Sequence, residues 1–269
     1  MMKTAIVIQA RVGSSRLAGK VLLPLAGKTL LERMIERVSA IKSECELIVA
    51  TTTGVEDERI RSLCRRIGIR CYSGNVTDLL DRHFQAAKQI RADVVAKIPS
   101  DCPLIDPQVI DRVLNFHSSK EFDFVSNLHP ATYPDGNDVE VMPFDVLEEA
   151  WKEATLPFEL EHTTPFIWER PNRYRIGNVT WETGLDYSMS HRWTIDYPED
   201  YQFIKAIYDE LYTVEHPVFS LYEILDLLEA KPNLNSINSK YAGVNWYRHH
   251  LKELKTVTSA QTKIIESTL

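Results

Sequence analysis

The chain has 269 residues, 44% of them hydrophobic and 26% charged, which is typical of one large α/β domain or of a domain with a small appendage. Its formal net charge is −7 at pH 7, so it has no general affinity for polyanions and no nucleic acid is expected as a partner. Because no apolar run is long enough to span a bilayer, no membrane insertion is expected either.

Short apolar, β-branched runs alternate with helical patterns in the first half of the chain. Nearly continuous apolar runs are typical of strands that are covered on both faces. The alternation of strands with helices predicts an α/β fold with a doubly wound, mostly parallel sheet. Strands are predicted over residues 4–9, 46–50, 69–72, 93–98 and 123–126, and helices over residues 30–41, 56–67, 78–90 and 108–116.

The second half is less regular, and a small subregion for substrate binding or oligomerisation is expected there. We expect a main domain over residues 1–234 and a C-terminal extension over residues 235–269. The extension lacks a clear core pattern, and its last dozen residues are expected to be disordered. We expect the extension to form one of three structures: an arm, a partner-binding helix around residues 246–254, or a frayed tail. Strands are predicted over residues 139–142 and 174–179, and helices over residues 144–154, 161–168, 199–212 and 220–229.

The cellular compartment is predicted from the start of the chain and from its cysteines. The N-terminus enters a predicted strand directly and lacks a secretory pattern, which favours a cytoplasmic protein. The cysteines show no paired spacing typical of metal sites, so free thiols are expected in a reducing compartment. They are Cys45, Cys64, Cys71 and Cys102.

A cationic loop follows the first predicted strand and spans residues 10–20. It carries Arg11, Arg16 and Lys20 around the small-residue run GSS at 13–15. Small residues let backbone N–H groups approach a phosphate closely, and fixed cations offset the phosphate charge. An ordinary strand-to-helix turn with solvated charges is the alternative. Three cations in an otherwise acidic chain favour phosphate binding.

Two acidic residues stand where predicted apolar segments end. Asp101 follows the strand predicted at 93–98, and Asp196 precedes a helix that Pro198 begins. Because the carboxyl ends of parallel strands meet at one rim, Asp101 is expected to face the cationic loop. Two carboxylates from separate segments can hold Mg²⁺ against phosphate oxygens. Alternatively each aspartate caps a turn or helix, although Asp106 is the better cap candidate for the helix after Asp101.

Other polar residues are candidates for contacts with a ligand. Asp138 and Glu140 follow a Pro-Asp-Gly turn signal and suit the hydroxyl groups or amines of a polar substrate. His162 lies on a predicted helix, where a surface or core histidine is the alternative. Arg82 follows Asp81 on another predicted helix, where the two alternatively form a surface ion pair.

Five short segments form an ordered set of motifs within residues 3–230. They are QARVGSSRLAGKVL at 9–22, SDCPLID at 100–106, YPDGNDVE at 133–140, EHTTP at 161–165 and RWTIDYPED at 192–200. In this order they resemble the sugar-acid cytidylyltransferase superfamily, in particular the branch named after the spore coat polysaccharide biosynthesis protein SpsF. Asn137 stands where that branch usually has leucine.

The resemblance implies a Rossmann-like nucleotidyltransferase fold, CTP as substrate, Mg²⁺ as cofactor, and transfer of CMP to an acceptor with release of pyrophosphate. It also implies that cytosine is read largely by backbone groups near Gln9 and Ala10. The predicted catalytic residues are Arg16, Lys20, Asp101 and Asp196, of which the two aspartates hold the metal. The predicted nucleotide-binding residues are Gln9, Ala10, Arg11, Gly13, Ser14, Arg16, Lys20 and Arg82. The predicted acceptor-binding residues are Asp138, Glu140, His162 and Arg192.

The sequence therefore predicts a CTP-dependent cytidylyltransferase that acts on a small sugar-like or phosphorylated acceptor in the synthesis of cell-surface polysaccharides or glycoconjugates. Members of the family are often dimers, so a homodimer is expected. For an acceptor that attacks through a hydroxyl, the candidate bases are Asp196, Glu140 and His162. The alternative functions are a metal-dependent glycosyltransferase that uses a nucleotide sugar and a non-catalytic nucleotide-binding module.

Overall fold

The computed structural model describes residues 2–14, 16–119 and 121–265. Ser15 of the cationic loop and residues 266–269 of the predicted disordered end lie outside the described residues. Within the described residues, no helix is both long enough and apolar enough to cross a membrane.

Strands and helices alternate along the first half of the chain, as predicted. The strands are β1 (Thr4–Gln9), β2 (Pro24–Leu25), β3 (Lys28–Thr29), β4 (Glu46–Thr52), β5 (Arg70–Gly74), β6 (Val94–Pro99), β7 (Phe124–Ser126), β8 (Glu140–Pro143) and β9 (Ile176–Asn178). The helices are α1 (Leu30–Val38), α2 (Glu58–Ile67), α3 (Leu79–Gln89), α4 (Pro107–Ser118), α5 (Phe144–Glu153), α6 (Pro157–His162), α7 (Pro165–Trp168), α8 (Pro198–Leu211), α9 (Leu221–Ala230) and α10 (Pro232–Asn235).

Seven strands form one sheet in the order β5-β4-β1-β6-β8-β7-β9. Strand β1 pairs in parallel with β4 and β6, and β4 pairs in parallel with β5. Strand β8 runs antiparallel to both β6 and β7, while β7 and β9 are parallel. The prediction of a doubly wound, mostly parallel sheet is confirmed.

Alternate side chains of β1 enter the cores on opposite faces of the sheet, because successive side chains of a strand point in opposite directions. Ala5 and Val7 pack into one core, and Ile6 and Ile8 pack into the other. Helices α3, α5, α6 and α7 contribute to the first core, and α1, α2 and α4 to the second. Burial of both faces explains why the strands appear as continuous apolar runs.

A third core positions the chain segment that precedes α8. Trp193 and Ile195 are fully buried there with Phe203 of α8 and with Phe219 and Ile224 near α9. The segment is therefore held by its apolar side chains. Its polar residues are left to face the rim of the sheet.

The helix predicted over residues 161–168 is instead two short helices, α6 and α7. Helix α6 ends at His162, and Thr163 has a φ of 73°. Pro165 begins α7, and because a proline has no N–H it cannot donate the hydrogen bond that would continue α6 through this position. His162 and Thr164 flank this break and line the cavity described below.

The C-terminal extension packs against the main body of the protein. Tyr247 and Val257 are buried in the core that contains α6 and α7. The Glu169 carboxylate accepts hydrogen bonds from the amides of Lys255 and Thr256, at 2.6 and 2.9 Å. The described part of the extension is thus neither a free arm nor a long helix. The domain boundary after residue 234 and the homodimer stay predictions.

Candidate active site

A cavity of about 590 Å³ opens at the carboxyl ends of β1 and β6. Its volume lies in the range of small-molecule sites, and parallel sheets bind their ligands at this rim. Every residue predicted for the site lines it: Gln9, Ala10, Arg11, Gly13, Ser14, Arg16, Lys20, Arg82, Asp101, Asp138, Glu140, His162, Arg192 and Asp196. The structure therefore brings them together, while their individual roles stay predictions.

Lys20 lies at the centre of the polar contacts in the cavity. It follows Gly19, whose φ of 68° is a conformation that glycine adopts without strain. The Lys20 ammonium donates to the carboxylates of Asp101 and Asp196, at 2.9 Å each, and to the Ile195 carbonyl oxygen at 2.7 Å. Burial lowers the pKa of Lys20, but the two carboxylates outweigh it and raise the pKa above its ordinary value.

Main-chain and side-chain contacts hold Asp196 beside Asp101. The Ile195 amide donates to the Asp101 carbonyl oxygen at 2.9 Å. The Asp196 carboxylate also accepts a hydrogen bond from Arg16 at 2.6 Å. Burial raises the pKa of Asp196, but Lys20 and Arg16 outweigh this effect and lower the pKa to about 2. Asp196 is therefore ionised at neutral pH.

Asp196 does not cap the helix that follows it. The residue before α8 is Tyr197, and the Asp200 carboxylate accepts from the amides of Asp196 and Tyr197 at 2.9 and 3.0 Å. Asp106 does cap α4, as predicted, because it accepts from the Gln108 amide at 2.7 Å. The interpretation of Asp196 as a cap is therefore wrong, and its carboxylate is left for the cations of the cavity.

Arg82 is buried on α3, and two of its guanidinium nitrogens have no hydrogen-bond partner among the described residues. Burial, and then the charge of Arg11, lowers the pKa of Arg82 to about 10. Its neighbour Asp81 accepts instead from Trp151 and Gln85, at 2.9 and 3.1 Å. The alternative of a surface ion pair is therefore wrong. Buried polar groups are normally paired, so the free nitrogens indicate a place for a ligand acceptor.

The backbone groups at the end of β1 already have partners. The Ala10 amide donates to the Ala50 carbonyl oxygen at 3.0 Å, and the Gln9 carbonyl oxygen accepts from the Ser100 amide at 3.2 Å. The Ala10 amide is therefore occupied, and the reading of cytosine by backbone groups near Gln9 and Ala10 stays a prediction. The side-chain oxygen of Gln9 is buried in the cavity lining without a partner among the described residues.

Asp138 and Glu140 lie in different electrostatic surroundings. Glu140 forms an ion pair with Lys97, its register partner on β6. Asp138 forms no ion pair with any described residue, and it accepts a hydrogen bond from the Gly136 amide at 3.3 Å. Burial, and then the charge of Asp101, raises the pKa of Asp138 to about 6. Asp138 is therefore the more available of these two carboxylates for a ligand.

Two neutral histidines line the cavity. His162 stacks on Trp246, with the ring centroids 3.8 Å apart and the planes 16° from parallel. Burial, and then the charge of Lys97, lowers the pKa of His162 to about 3. Burial also lowers the pKa of His129 to about 4. At neutral pH both rings are uncharged, so they contribute flat surfaces and ring nitrogens rather than positive charge.

Arg192 is buried, and all its donors bond to groups of the protein. Its Nε donates to Asp200 at 2.9 Å, and its terminal nitrogens reach Asp196 at 3.1 Å, Asp135 at 3.3 Å and the Val244 carbonyl oxygen at 2.7 Å. Burial lowers the pKa of Arg192, but these carboxylates outweigh it and raise the pKa. The predicted contact of Arg192 with an acceptor finds no free donor. Its ion pairs hold Asp135, Asp196 and Asp200 in place, and its contact with an acceptor stays a prediction.

Replacing Arg192 with methionine is expected to destabilise the fold by about 3–5 kcal/mol, because it leaves buried carboxylates without their cation. Urea unfolding at neutral pH measures the loss. Arg175→Met is the control, since the ion pair of Arg175 with Asp123 is exposed to solvent and contributes little. Equal stability losses in the two variants would contradict the role of Arg192.

The predicted Pro-Asp-Gly turn, at residues 134–136, packs against the segment before α8. Gly136 has a φ of 110°, and a Cβ there would lie 2.7 Å from the carbonyl carbon of Trp193. The Trp193 amide donates to the Asp135 carbonyl oxygen at 2.7 Å. The buried Asn137 side chain accepts from the Asp106 amide at 3.0 Å. Glycine is thus required at 136 by the close approach of the Trp193 backbone, and Asn137 supplies a buried hydrogen-bond acceptor.

The donor chemistry of Asp101 and Asp196 fits Mg²⁺ only together with oxygens from a substrate. Both carboxylates converge on one ammonium, so they are close enough to share a cation. Among the described residues, no group of three or more His, Cys, Asp or Glu side chains is arranged to hold a metal ion. Mg²⁺ commonly takes one or two carboxylates and completes its shell with phosphate oxygens and water. The pair therefore suits a metal that arrives with a phosphate.

Some residues of the cavity were not predicted. Lys97 interrupts an otherwise apolar strand, and that charge was a signal available in the sequence. His129 and Trp168 also line the cavity, as do residues 244–248 of the extension. No sequence pattern placed these at the rim, because their position depends on packing between segments far apart in the chain.

Comparison with known proteins identifies a family match and relatives of this chain. The profile of the family described as cytidylyltransferase matches residues 5–231. The chain is 31% identical over 232 residues to the spore coat polysaccharide biosynthesis protein SpsF of Bacillus subtilis, which covers 84% of this chain and 94% of that protein. It is 35% identical over 122 residues to a 3-deoxy-manno-octulosonate cytidylyltransferase of Desulfatibacillum aliphaticivorans, covering 42% of this chain and 46% of that protein.

A solved structure agrees with these relatives. A cytidylyltransferase from Leptospira borgpetersenii superposes with a TM-score of 0.81 at 29% identity, covering 87% of this chain and 97% of that one. The fold is thus that of a nucleotidyltransferase enzyme, while the roles of the cationic loop and of the carboxylates at the rim stay predictions. The chain belongs to the cytidylyltransferase family.

Proposed function

We propose that this enzyme transfers CMP from CTP to a small sugar-like acid or phosphorylated acceptor and releases pyrophosphate, in the synthesis of a cell-surface polysaccharide. The observation that carries the proposal is the Lys20 ammonium held between Asp101 and Asp196, with Arg16 on the same carboxylate. The cluster places two cations suited to phosphate oxygens beside two carboxylates suited to a metal ion. The names of the relatives support a sugar acid and a polysaccharide pathway.

The reaction needs stabilisation of charge more than covalent chemistry from the protein. An acceptor oxygen forms a bond to the α-phosphorus of CTP, the bond to the bridging oxygen breaks, and pyrophosphate leaves in line. We assign Lys20 and Arg16 to the charge that develops on the phosphate oxygens. Mg²⁺ at Asp101 and Asp196 would add neutralisation of the triphosphate when bound.

We assign the nucleotide to the end of the cavity near β1 and α3. Arg11 and Arg82 lie close enough for Arg11 to lower the pKa of Arg82, and neither forms an ion pair with a described residue. An anionic ligand would relieve this repulsion and fill the free donors of Arg82. The unpartnered side-chain oxygen of Gln9 suits an amino group such as that of cytosine. Gly13 and Ser14 of the same loop complete the proposed nucleotide contacts.

We assign the acceptor to the end of the cavity that contains Asp138, Glu140 and His162. Asp138 is available as a hydrogen-bond acceptor for a hydroxyl, since it has no cation partner among the described residues. Glu140 is neutralised by Lys97, which weakens it as a base. His162 is neutral and stacked on an indole, so it contributes a surface.

Incubation of the full chain with CTP, Mg²⁺ and a panel of acceptors tests the proposal. The panel contains 3-deoxy-manno-octulosonate, N-acetylneuraminate and phosphorylated polyols, and phosphorus NMR follows the products. Pyrophosphate and a CMP conjugate are expected, and UTP in place of CTP is the control. In a parallel incubation with a nucleotide sugar in place of CTP, release of a nucleoside diphosphate would indicate a glycosyltransferase instead. Binding of CTP without turnover for any acceptor would indicate a nucleotide-binding module.

A further inference from the structure

One wall of the cavity is built by the C-terminal extension. Residues 244–248 line the cavity one after another. The family profile ends at residue 231, so this wall, hereafter the C-terminal wall, lies outside the part of the chain that defines the family. A role of this wall is therefore a property of the extension of this chain and does not follow from membership of the family.

The C-terminal wall is held in place by hydrogen bonds at several points. The Val244 carbonyl oxygen accepts from the buried guanidinium of Arg192 at 2.7 Å. The Asn245 side chain donates to the Gln261 carbonyl oxygen at 2.7 Å and accepts from the Tyr247 amide at 3.1 Å. The first bond links the wall to the residue that also holds the carboxylates of the cavity. The wall is thus fixed relative to the reacting groups.

The wall presents a flat aromatic surface. Trp246 is half-buried, and one face of its indole stacks on the neutral ring of His162 at 3.8 Å. Tyr247 packs edge-on against the same indole, with the centroids 4.7 Å apart. Pockets for small molecules commonly combine such aromatic surfaces with a few polar groups that fix the orientation of the ligand. An aromatic face in the same cavity as the Asp138 carboxylate suits a ring that carries C–H groups on one side and hydroxyls at its edge.

The wall also carries a cation without an acidic partner. Arg248 is half-buried, and within the described residues it forms no ion pair; its nearest polar contacts are His249 at 3.0 Å and the Tyr197 hydroxyl at 3.5 Å. An arginine guanidinium binds carboxylates and phosphates through two parallel hydrogen bonds. The guanidinium therefore offers a site for one acidic group beside the aromatic surface.

We propose that the C-terminal wall is the acceptor subsite, in which Trp246 stacks on the ring of an acidic sugar and Arg248 binds its acid group. This inference rests on the proposed function, because it names which part of the chain selects the acceptor of that reaction. Asp138 accepts a hydrogen bond from a ring hydroxyl. The extension then determines acceptor specificity, while the loop at 10–20 and the two aspartates serve CTP.

Kinetics with two named sugar acids test the inference, using 3-deoxy-manno-octulosonate and N-acetylneuraminate with saturating CTP. Trp246→Ala and Arg248→Gln are each expected to raise the acceptor KM about tenfold or more, with the CTP KM within about twofold of the wild-type value. Trp246→Phe keeps an aromatic ring and is expected to change the acceptor KM less. Trp151→Phe is the control, because Trp151 lies outside the cavity lining.

Equilibrium binding separates failure of this inference from failure of the proposed function. Wild-type protein is loaded with an unreactive CTP analogue, and sugar-acid binding is measured by calorimetry; thermal melts show that each variant is folded. Wild-type protein that binds the CTP analogue but neither sugar acid overturns the acidic-sugar subsite. Unchanged acceptor KM in folded variants, or a higher KM for CTP alone, overturns it as well. Wild-type protein that does not bind the CTP analogue overturns the proposed function instead.

Discussion

Replacing Lys20 with methionine is expected to lower kcat for pyrophosphate release by about 10²–10³-fold, the effect of removing one fixed charge that stabilises a transition state. Methionine keeps most of the apolar stem of the side chain and removes the ammonium. That ammonium contacts both Asp101 and Asp196, so its loss changes the charge of the whole centre. Initial rates at saturating CTP and acceptor measure kcat, and the CTP KM is expected to change less than kcat.

A control variant and a stability measurement make the Lys20 result interpretable. Lys28→Met is the control, since the Lys28 ammonium forms a solvent-exposed ion pair with Glu36 at 3.0 Å, away from the cavity lining. The Lys20 variant leaves Asp101 without its cation, while Asp196 keeps its contacts with Arg16 and Arg192, so some loss of stability accompanies the loss of activity. Assays are therefore run well below its melting temperature. A folded Lys20 variant with near-normal pyrophosphate release would contradict the assignment.

The parallel half of the fold was predictable from the sequence because burial on both faces leaves a direct signal. Strands β1 and β4 each contain four consecutive apolar residues, and the helices between the strands carry a clear apolar stripe. The antiparallel insertion of β8 between β6 and β7 was not predictable in the same way. A run of four residues carries too little pattern to specify its partner or its direction.

The centre of the candidate site was predictable for a topological reason. Parallel strands end at one rim, so the loop after β1 and Asp101 after β6 were expected to meet there, and they do. The prediction that Asp196 belongs to the site also depended on the family resemblance, because an acidic residue before a proline-initiated helix is equally typical of a helix cap. The structure decides against the cap, since Asp200 takes the free amides at the start of α8.

Other parts of the site depend on contacts that no local pattern encodes. The pair between Lys97 and Glu140 requires the register of β6 against β8. The assignment of Arg192 to the acceptor failed to anticipate that three carboxylates surround its side chain. The C-terminal wall, residues 244–248, is formed where the extension packs on α6 and α7. For Lys97 and for the wall the partner lies tens of residues away in sequence. For Arg192 the separation is four residues to Asp196 and 57 to Asp135, so the full set of contacts becomes visible only in three dimensions.

Replacing Asp101 with asparagine is expected to lower kcat by about two orders of magnitude and to raise the Mg²⁺ concentration needed for half-maximal rate. The substitution keeps the shape of the side chain and removes one of the two charges that converge on Lys20. The fold should persist, because Ile195 and Thr194 bond to the main-chain oxygen of this residue, at 2.9 and 3.1 Å, and not to its carboxylate. Rates of pyrophosphate release over a Mg²⁺ titration measure both quantities.

The Mg²⁺ titration distinguishes a metal ligand from a residue that only orients Lys20. If Asp101 served only to orient the ammonium, Asp101→Asn would lower kcat at every Mg²⁺ concentration without moving the midpoint of activation. If it also holds the metal, the midpoint moves to higher concentration and excess Mg²⁺ restores part of the rate. Asp226→Asn, at an exposed position on α9, controls for the loss of one negative charge from the protein. A wild-type midpoint together with near-normal kcat in Asp101→Asn would contradict both roles and remove this carboxylate from the proposed active site.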